Sequence, residues 1–579
     1  MASDKDVPLE PRVVIIGGGI AGIMTAIALK KRLGFHNFTI YEQADDLGGT
    51  WTLNTYPGCA CDIATHFYSY SAELNPEWDH SHVYQPELKA YWRGIAEKYD
   101  VVHHICLRTT VLGADWNAQR QIYRAEVLDL QTGKKRVEIA NVVISATGFL
   151  REPNFAENLR GVRETFKGEH FHSARWDYGV DLHNKRVAVI GNGSSASQFI
   201  PIITKDPTTH VTCFYGAPKW IIPEASAKAA TIPANIRWRI PIPLWQRKMF
   251  RYVPLTLWMY RWMLIIGYEY FYTAIMSGPP NHKGRESLME AIRKYIRETA
   301  PEEYHDKLMP DYPFGCKRFI VDSGHLAALY RPNNDANFNG IAEVTENGIV
   351  TKKDERLDFD VIIEATGYIV DKYHIKIRGS DGTTIQDYFK EKEGPTAYKG
   401  TAVPNFPNFF MICGPNAPVT HGAVIFTEEL QVNYIIQLLG PILSKQVSSF
   451  EVTHAAADEW NAFTQQKLGI SVWSACHSWY RVGTTGKNSI IWPGALIHQW
   501  WNLRKPDWKH YIAVGASEWE SRRFWGRIWQ LLAALVVLAV FGWVWVHPVD
   551  FAGVLALLNA QVTLLKAMTL SYSGPSTVV

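Results

Sequence analysis

An α/β fold built on two copies of one unit, a strand, a glycine-rich turn and a helix, joined to a helical insertion and a C-terminal transmembrane helix, is what this sequence predicts. Three observations predict it. The turn Gly17-x-Gly19-x-x-Gly22 follows the apolar run VVII and opens a helical pattern, and a second turn, Gly191-x-Gly193-x-x-Ala196, stands in the same context 174 residues later. The third is a run of nineteen uncharged residues from Ile528 to Val546. At 579 residues the chain exceeds what one core organises, so several globular units are expected.

In the first unit, RVVIIGGGIAGIMTAIALKKRL, the glycines have separate tasks. They permit the tight turn, the approach of backbone amides to a pyrophosphate at the helix N-terminus, and close packing of helix on strand. The next strand, FTIYEQ, ends at Glu42, twenty residues beyond Gly22, where a carboxylate can bond ribose hydroxyls; an acid there suits a dinucleotide without a 2′-phosphate, such as FAD or NAD. The second unit, KRVAVIGNGSSASQFIPII, carries alanine in the slot that tolerates it. Two fingerprints in one chain point to two bound dinucleotides. VVISATGF and DVIIEATGY repeat a further pattern, a buried strand running into Ala-Thr-Gly. Residues 231–276 then turn to Trp, Tyr, Arg and Pro without a period of two, and are expected to be mostly helical. They read as an insertion capping the active site, with a membrane-surface contact as the alternative.

Arg522, Arg523 and Arg527 precede the C-terminal run, and Trp525, Trp529, Trp543 and Trp545 sit near its two ends, as interface anchors and the positive-inside rule require. It predicts a span over about 528–546 with the catalytic body cytosolic, the endoplasmic reticulum being one candidate membrane. Residues 551–570 contain Asn559, Gln561 and Lys566 and read as an interfacial helix or a weak return span.

Composition excludes several classes. Fifty-nine basic and 56 acidic residues nearly cancel, and no basic run interleaves with aromatics, so no nucleic-acid partner is expected. Seven scattered cysteines argue against a disulfide framework, no redox partner is evident, and Cys59-x-Cys61 lacks further ligands at metal-site spacing, so no metal is expected. MASDKDVPLEPR has no apolar core and is not a secretory signal.

The family resemblance rests on FKGEHFHSARWD, which carries Phe166, Gly168, His172, Trp176 and Asp177 in register, and on GGTWTLNTYPGCACD, which carries Gly49, Trp51, Tyr56, Pro57, Gly58 and Asp62. Both match signatures of the Baeyer–Villiger type of flavin-dependent monooxygenase (class B flavoprotein monooxygenases), which the chain resembles from about residue 11 to 515. QPELKAYWRGIAEKYD, GCKRF, FPNFFMICGPNAPVTHG, and CHSWYR through GKNSIIWPG extend the match. The resemblance implies FAD and NADPH as cofactors and insertion of one oxygen atom of dioxygen beside a ketone. It also implies a nested layout: an FAD-binding domain from 8–150 and 360–515, an NADP-binding domain from 151–215 and 310–359, the insertion at 216–309 and a membrane-anchoring tail at 516–579.

On the same footing, Arg318 supplies a fixed cation beside the flavin and Asp62 is its carboxylate partner. A guanidinium suits the task because it keeps its proton and presents donors in a plane. Thr50, Ser194 and Ser195 join the glycines, Glu42, Trp51 and Tyr56 as cofactor-binding residues. Lys317 is expected to meet the 2′-phosphate of NADPH, His172 and Trp176 to serve domain motion and NADP placement, and Trp479 to contact the nicotinamide side. The chain departs from the family at CFYGAPKW, where Gly216 occupies the slot of a usual arginine; Lys219 is the candidate substitute. An anchored oxygenase would meet lipophilic ketones of the terpenoid, steroid or polyketide kind, made in secondary metabolism. Two other readings stay open: a flavin monooxygenase that hydroxylates or oxidises nitrogen or sulfur, and a membrane-tethered nucleotide-binding protein without catalysis.

Overall fold

Two parallel sheets, each centred on one glycine-turn unit, carry the molecule. The computed structural model describes residues 10–156, 159, 164–223, 239–279, 282–546, 553 and 556–564. In chain order its principal elements are β1 (Val13–Ile16), α1 (Ile20–Leu33), β2 (Phe38–Tyr41), β3 (Ile105–Cys106), β4 (Val142–Ser145), β5 (Glu169–His172), β6 (Arg186–Ile190), α2 (Ser194–Ile203) and β7 (His210–Phe214). There follow α3 (Leu244–Tyr252), α4 (Pro254–Phe271), β8 (Asn334–Asn337), β9 (Val361–Glu364), β10 (Phe409–Met411), α5 (Val424–Leu443), α6 (Leu496–Leu503) and α7 (Ser517–Val546).

The first sheet has the order β10-β4-β1-β2-β3 and the second β8-β7-β6-β9-β5, every pair parallel. Parallel sheets are covered on both faces, so their central strands must be apolar throughout; VVII, VVIS and VIIE are buried at every position. The chain leaves the first sheet after β4 and rejoins it at β10, with the second sheet formed between, which is the nested arrangement. Because β9 belongs to the second sheet, the return to the first domain falls after Glu364 rather than at 360. The two crossing segments meet each other: Glu152–Pro153, just past the first Ala-Thr-Gly, pairs antiparallel with Tyr368–Ile369, just past the second.

A four-stranded sheet formed by Thr109–Asn117, Ile122–Asp129, Lys135–Ala140 and Lys376–Arg378 closes the first domain. Tyr123, Ala125 and Ile377 from it share one core with Val14 and Val143.

The aromatic and basic stretch is helical where described, as α3, α4 and a π turn at Tyr272–Met276; residues 231–238 of it lie outside the described residues. Of the described residues of the insertion, Gly216, Ala217 and Lys219 line the cavity described below and none of 239–309 does. The inner face of α4 is taken up by the segment after Asp62. The Ala64 amide donates to the Tyr268 hydroxyl at 3.2 Å, the Phe67 and Tyr268 rings lie 5.3 Å apart, and the Arg261 guanidinium donates to Ser69 O at 3.1 Å and Ser71 Oγ at 2.5 Å.

Cys316 and Cys476 form a disulfide, with Cα atoms 6.0 Å apart across a sequence separation of 160, which corrects the expectation that the cysteines have no partner. It fastens the segment carrying Lys317 and Arg318 to the one carrying Trp479 and Tyr480.

The chain divides into a body ending at Val514 and a C-terminal unit starting at Gly515. Within the latter, α7 is the one helix among the described residues long and apolar enough to cross a membrane, its most apolar eighteen-residue window having a mean hydropathy of 1.8. Residues 556–564 are helical, and the rest of 551–570 apart from 553 lies outside the described residues.

Candidate active site

The two glycine turns are built alike. At Gly17 φ is +110°, and a Cβ would stand 2.5 Å from the carbonyl oxygen of Ala146; at Gly191 φ is again +110° and a Cβ would stand 2.5 Å from that of Ala365. Any side chain there would meet backbone, so the Ala-Thr-Gly segments and the glycine turns specify each other. Gly22 performs the packing task, since its Cβ would come within 2.0 Å of Gly17 O. The helices behind the turns start at Gly19 and Gly193, which offer no side-chain cap, and neither first turn holds an acid. Two helix N-termini thus keep free amides and the positive end of the helix dipole, the requirement for a bound pyrophosphate.

Both open onto one cavity of about 680 Å³, lined at the carboxyl ends of the parallel strands by Gly17, Gly19, Glu42, Gly191, Gly193 and Gly216. Gly49, Thr50, Trp51, Tyr56 and Asp62 also reach it, as do His172, Ser194, Ser195, Lys219, Arg318 and Trp479. Gly22, Lys317, Phe166, Gly168, Trp176 and Asp177 do not line it. Two cradles that a Cβ would fill, both opening onto this cavity, fit the pyrophosphates of two dinucleotides.

Glu42 is 6% exposed and spends one lone pair on each oxygen locally, accepting from the Gly18 amide at 2.7 Å and the Ala44 amide at 2.8 Å, while its edge faces the cavity. The Tyr-Pro-Gly turn binds the two domains together. The Tyr56 hydroxyl donates to Gln198 Oε1 at 2.9 Å, Gln198 Nε2 donates to Ala60 O at 3.2 Å, and a Cβ on Gly58 would strike Ile202 and Gln198 of α2.

Arg318 stands where that turn delivers Asp62. Its Nη2 and Nε donate to Asp62 Oδ2 at 2.5 and 3.1 Å. The carboxylate holds the guanidinium above the usual arginine range against the opposing cost of burial. Arg318 nonetheless keeps 36% of its side chain open and lines the cavity, so the charge remains available to a ligand. Beside it burial pushes the Tyr480 phenol up to about 12, with Arg318 pulling the other way, so Tyr480 stays protonated at working pH. Tyr480 went unnoticed in the sequence, although it stands in the matched CHSWYR segment. Trp479 lies 6.4 Å from Phe149 in a stacked arrangement.

Burial lowers His172 to about 4, so it is neutral at physiological pH; its Nδ1 accepts from the Ala174 amide at 3.0 Å. Phe166 packs against the second domain's core, Gly168 allows close approach to Asp360 O, and Trp176 contacts Phe171 and Phe199. Asp177 accepts from the Gly179 amide in an exposed turn.

Burial, then the charge of Lys317, lowers Lys219 to about 8, which puts the two lysines within electrostatic reach; Lys317 itself sits 4.6 Å from the Tyr312 ring centroid.

Glu428 was also missed. It is on α5, lines the cavity, leaves Oε2 without a partner, and accepts only a weak bond from Cys413 Sγ at 3.7 Å. Burial raises its pKa from 4.5 to about 7. An acid raised on folding binds more protons folded than unfolded between these values, so stability falls as pH climbs through that window. At 1.36 kcal/mol per pKa unit the penalty above pH 7 is about 3 kcal/mol. Glu428→Gln is therefore expected to stabilise the flavin-free protein at pH above 7 by roughly that amount and to flatten its pH dependence. Denaturant unfolding across pH checks this, and an unchanged midpoint at alkaline pH would contradict it.

Comparison with known proteins finds flavin-dependent monooxygenases. Residues 10–229 match the flavin-binding monooxygenase-like family. A Baeyer–Villiger monooxygenase of Pseudomonas aeruginosa is 34% identical over 83% of this chain and 88% of its own length, and one from Streptomyces coelicolor is 31% identical over 88% and 94%. Among solved structures, a closed cyclohexanone monooxygenase superposes with a TM-score of 0.75 at 25% identity, over 87% of this chain and 98% of that one. OTEMO in complex with FAD and NADP gives 0.74 at 25% identity, over 88% and 100%.

Proposed function

Because the chain belongs to the Baeyer–Villiger monooxygenase family, we propose that Arg318, oriented by Asp62, is the cation that makes its oxygen insertion work. The protein is an FAD- and NADPH-dependent monooxygenase that converts a ketone to an ester or lactone with dioxygen. FAD, reduced by NADPH, supplies the activated oxygen. The chain's own residues supply binding, orientation and charge. The α1 N-terminus with Gly17, Gly19 and Glu42 holds FAD, and the α2 N-terminus with Gly191, Gly193, Ser194 and Ser195 holds NADPH.

Insertion of oxygen next to a carbonyl builds negative charge on oxygen, first on the attacking atom and then on the former carbonyl. A preorganised cation in a site shielded from water stabilises both. Arg318 meets that need, and Asp62 fixes its plane without neutralising the outward edge. The single observation that supports this reading is the Arg318–Asp62 ion pair on the wall of a cavity fed by both glycine turns. Tyr480 and Trp479 flank it, and His172 acts by position rather than by proton transfer.

Lys219 and Lys317 together serve as the 2′-phosphate site, in place of the arginine that Gly216 displaces. A charge-assisted bond is worth about 1.5–3 kcal/mol, so Lys219→Ala is expected to raise KM for NADPH roughly 10–100-fold and leave NADH untouched. Since the cation is the binding form, KM for NADPH should also rise as pH passes about 8. Equal effects on both nucleotides would refute the assignment.

The α7 helix anchors the body to a membrane, with Arg522, Arg523 and Arg527 on the cytosolic side. Removal of 515–579 is expected to make the enzyme extractable from membranes by an alkaline carbonate wash that leaves the full chain behind, with turnover retained. The substrate is a lipophilic ketone of the terpenoid, steroid or polyketide class. Screening such ketones for NADPH consumption matched by product one oxygen heavier tests this; consumption stimulated by none of them would count against it.

A further inference from the structure

We infer that the outer face of α4, with α3 beside it, is a docking surface for an anionic lipid bilayer, from which the enzyme takes its ketone. The inference rests on the membrane-anchoring reading of α7. Leu255, Trp258, Met259, Trp262, Met263 and Ile266 recur at three- and four-residue spacing on one side of α4, and each is between 44% and 64% exposed. The opposite side, Leu257, Arg261, Ile265, Tyr268 and Phe271, is buried. A stripe of six large apolar side chains at this exposure exceeds the few hundred Å² common on a monomer's surface.

The helix is held firmly while its apolar face stays outward. Arg261 donates to Ser69 O and Ser71 Oγ, and Ser71 donates its amide to Glu429 on α5 at 2.6 Å. In the last turn of α4, Glu269 accepts the Leu496 amide, so α6 begins there and exposes Ile497, Trp500 and Trp501. Trp and Tyr rings around an aliphatic centre are the composition of the membrane interface.

Charge selects a bilayer over a second copy of the chain. From Arg239 to Tyr268 there is no acidic residue, while α3 carries Arg247, Lys248 and Arg251. Glu77 pairs with both Arg247 and Arg251, and Lys248 is exposed. Such a face gains from anionic headgroups and would meet like charge on its own copy. The buried side of α4 lies directly behind the loop that carries Asp62, through Tyr268 on Ala64 and Phe67.

The test uses the full chain in phosphatidylcholine vesicles containing phosphatidylserine, in a Cys106→Ser background. A nitroxide is placed on Met259→Cys or Met263→Cys, with Lys294→Cys as the aqueous control. Power saturation compares collision with oxygen and with a polar nickel chelate. The oxygen-to-nickel ratio at the two α4 positions is expected to exceed the control by about tenfold, because the polar reagent is excluded from hydrocarbon. It should fall when phosphatidylserine is omitted. Equal ratios would overturn the inference, as would spin–spin broadening that disappears on dilution with unlabelled protein, which would mean that a second copy covers the face. An alkaline carbonate wash reads α7 separately. Protein retained with aqueous labels sinks the docking face and leaves the anchor; labels in lipid before a wash that strips the protein keep the face and sink the anchor. Failure to bind the vesicles at all sinks both.

Discussion

Arg318→Ala is expected to cut ester formation by about 10²–10³-fold while NADPH is still consumed and its electrons appear as hydrogen peroxide. Arg318 bonds Asp62 and neither of the glycine turns proposed to hold the nucleotides, so cofactor binding and flavin reduction are expected to survive. What is lost is the cation that makes attack on the carbonyl favourable, and unprotected activated oxygen decays to peroxide. Asp62 keeps 26% of its side chain open, so its carboxylate stays solvated through the cavity when the guanidinium is removed. Arg318→Lys should recover only part of the activity, because an ammonium is a freely rotating point charge without the planar edge that Asp62 holds in one orientation. Peroxide and ester measured per NADPH oxidised separate these outcomes, and full coupling in the alanine variant would refute the role.

Gly17→Ala and Gly191→Ala should fail in different ways. Each places a Cβ 2.5 Å from a carbonyl oxygen at a φ of +110°, where L side chains are strained, so the turn must open. Strain of this kind costs of order 1–3 kcal/mol before the clash is counted, enough for a loss of dinucleotide affinity of roughly 100-fold. Gly17→Ala should purify pale, with FAD lost and every later step gone. Gly191→Ala should purify yellow, yet its flavin should bleach with NADPH only at concentrations about 100-fold higher. A yellow, normally reducible Gly17→Ala protein would contradict the assignment of the first turn to FAD.

What the sequence made legible was local. Gly17-x-Gly19-x-x-Gly22 and its partner at Gly191 each fit strand, turn and helix into about twenty residues, and the physics of the turn names the residue type. Arg318 and Asp62 lie 256 residues apart, and either alone reads as an ordinary surface charge. Only their places inside two matched segments brought them forward. Gln198 on α2, Tyr480 beside Arg318 and the Cys316–Cys476 link owe their roles to tertiary contact, which no periodicity records. Glu428 had one faint signal, a pair of acids within the otherwise uncharged helix VIFTEELQVNYII. The described part of the insertion from 239 to 309 does not line the cavity, for an instructive reason. A helix with one apolar and one basic-aromatic side does not declare which side meets the protein, and in α4 both sides carry large apolar groups. The domain boundary slipped past β9 because a buried strand reads the same in either sheet.

The central claim is that this site delivers one atom of dioxygen into a carbon–carbon bond beside a carbonyl. Turnover of a ketone under isotopically heavy dioxygen, with the product fragmented in a mass spectrometer, tests it most directly. The expected result is one heavy atom in the bridging oxygen of the ester or lactone, with the carbonyl oxygen unlabelled. Heavy oxygen in a hydroxyl, an N-oxide or an S-oxide, or none in any product, would contradict it.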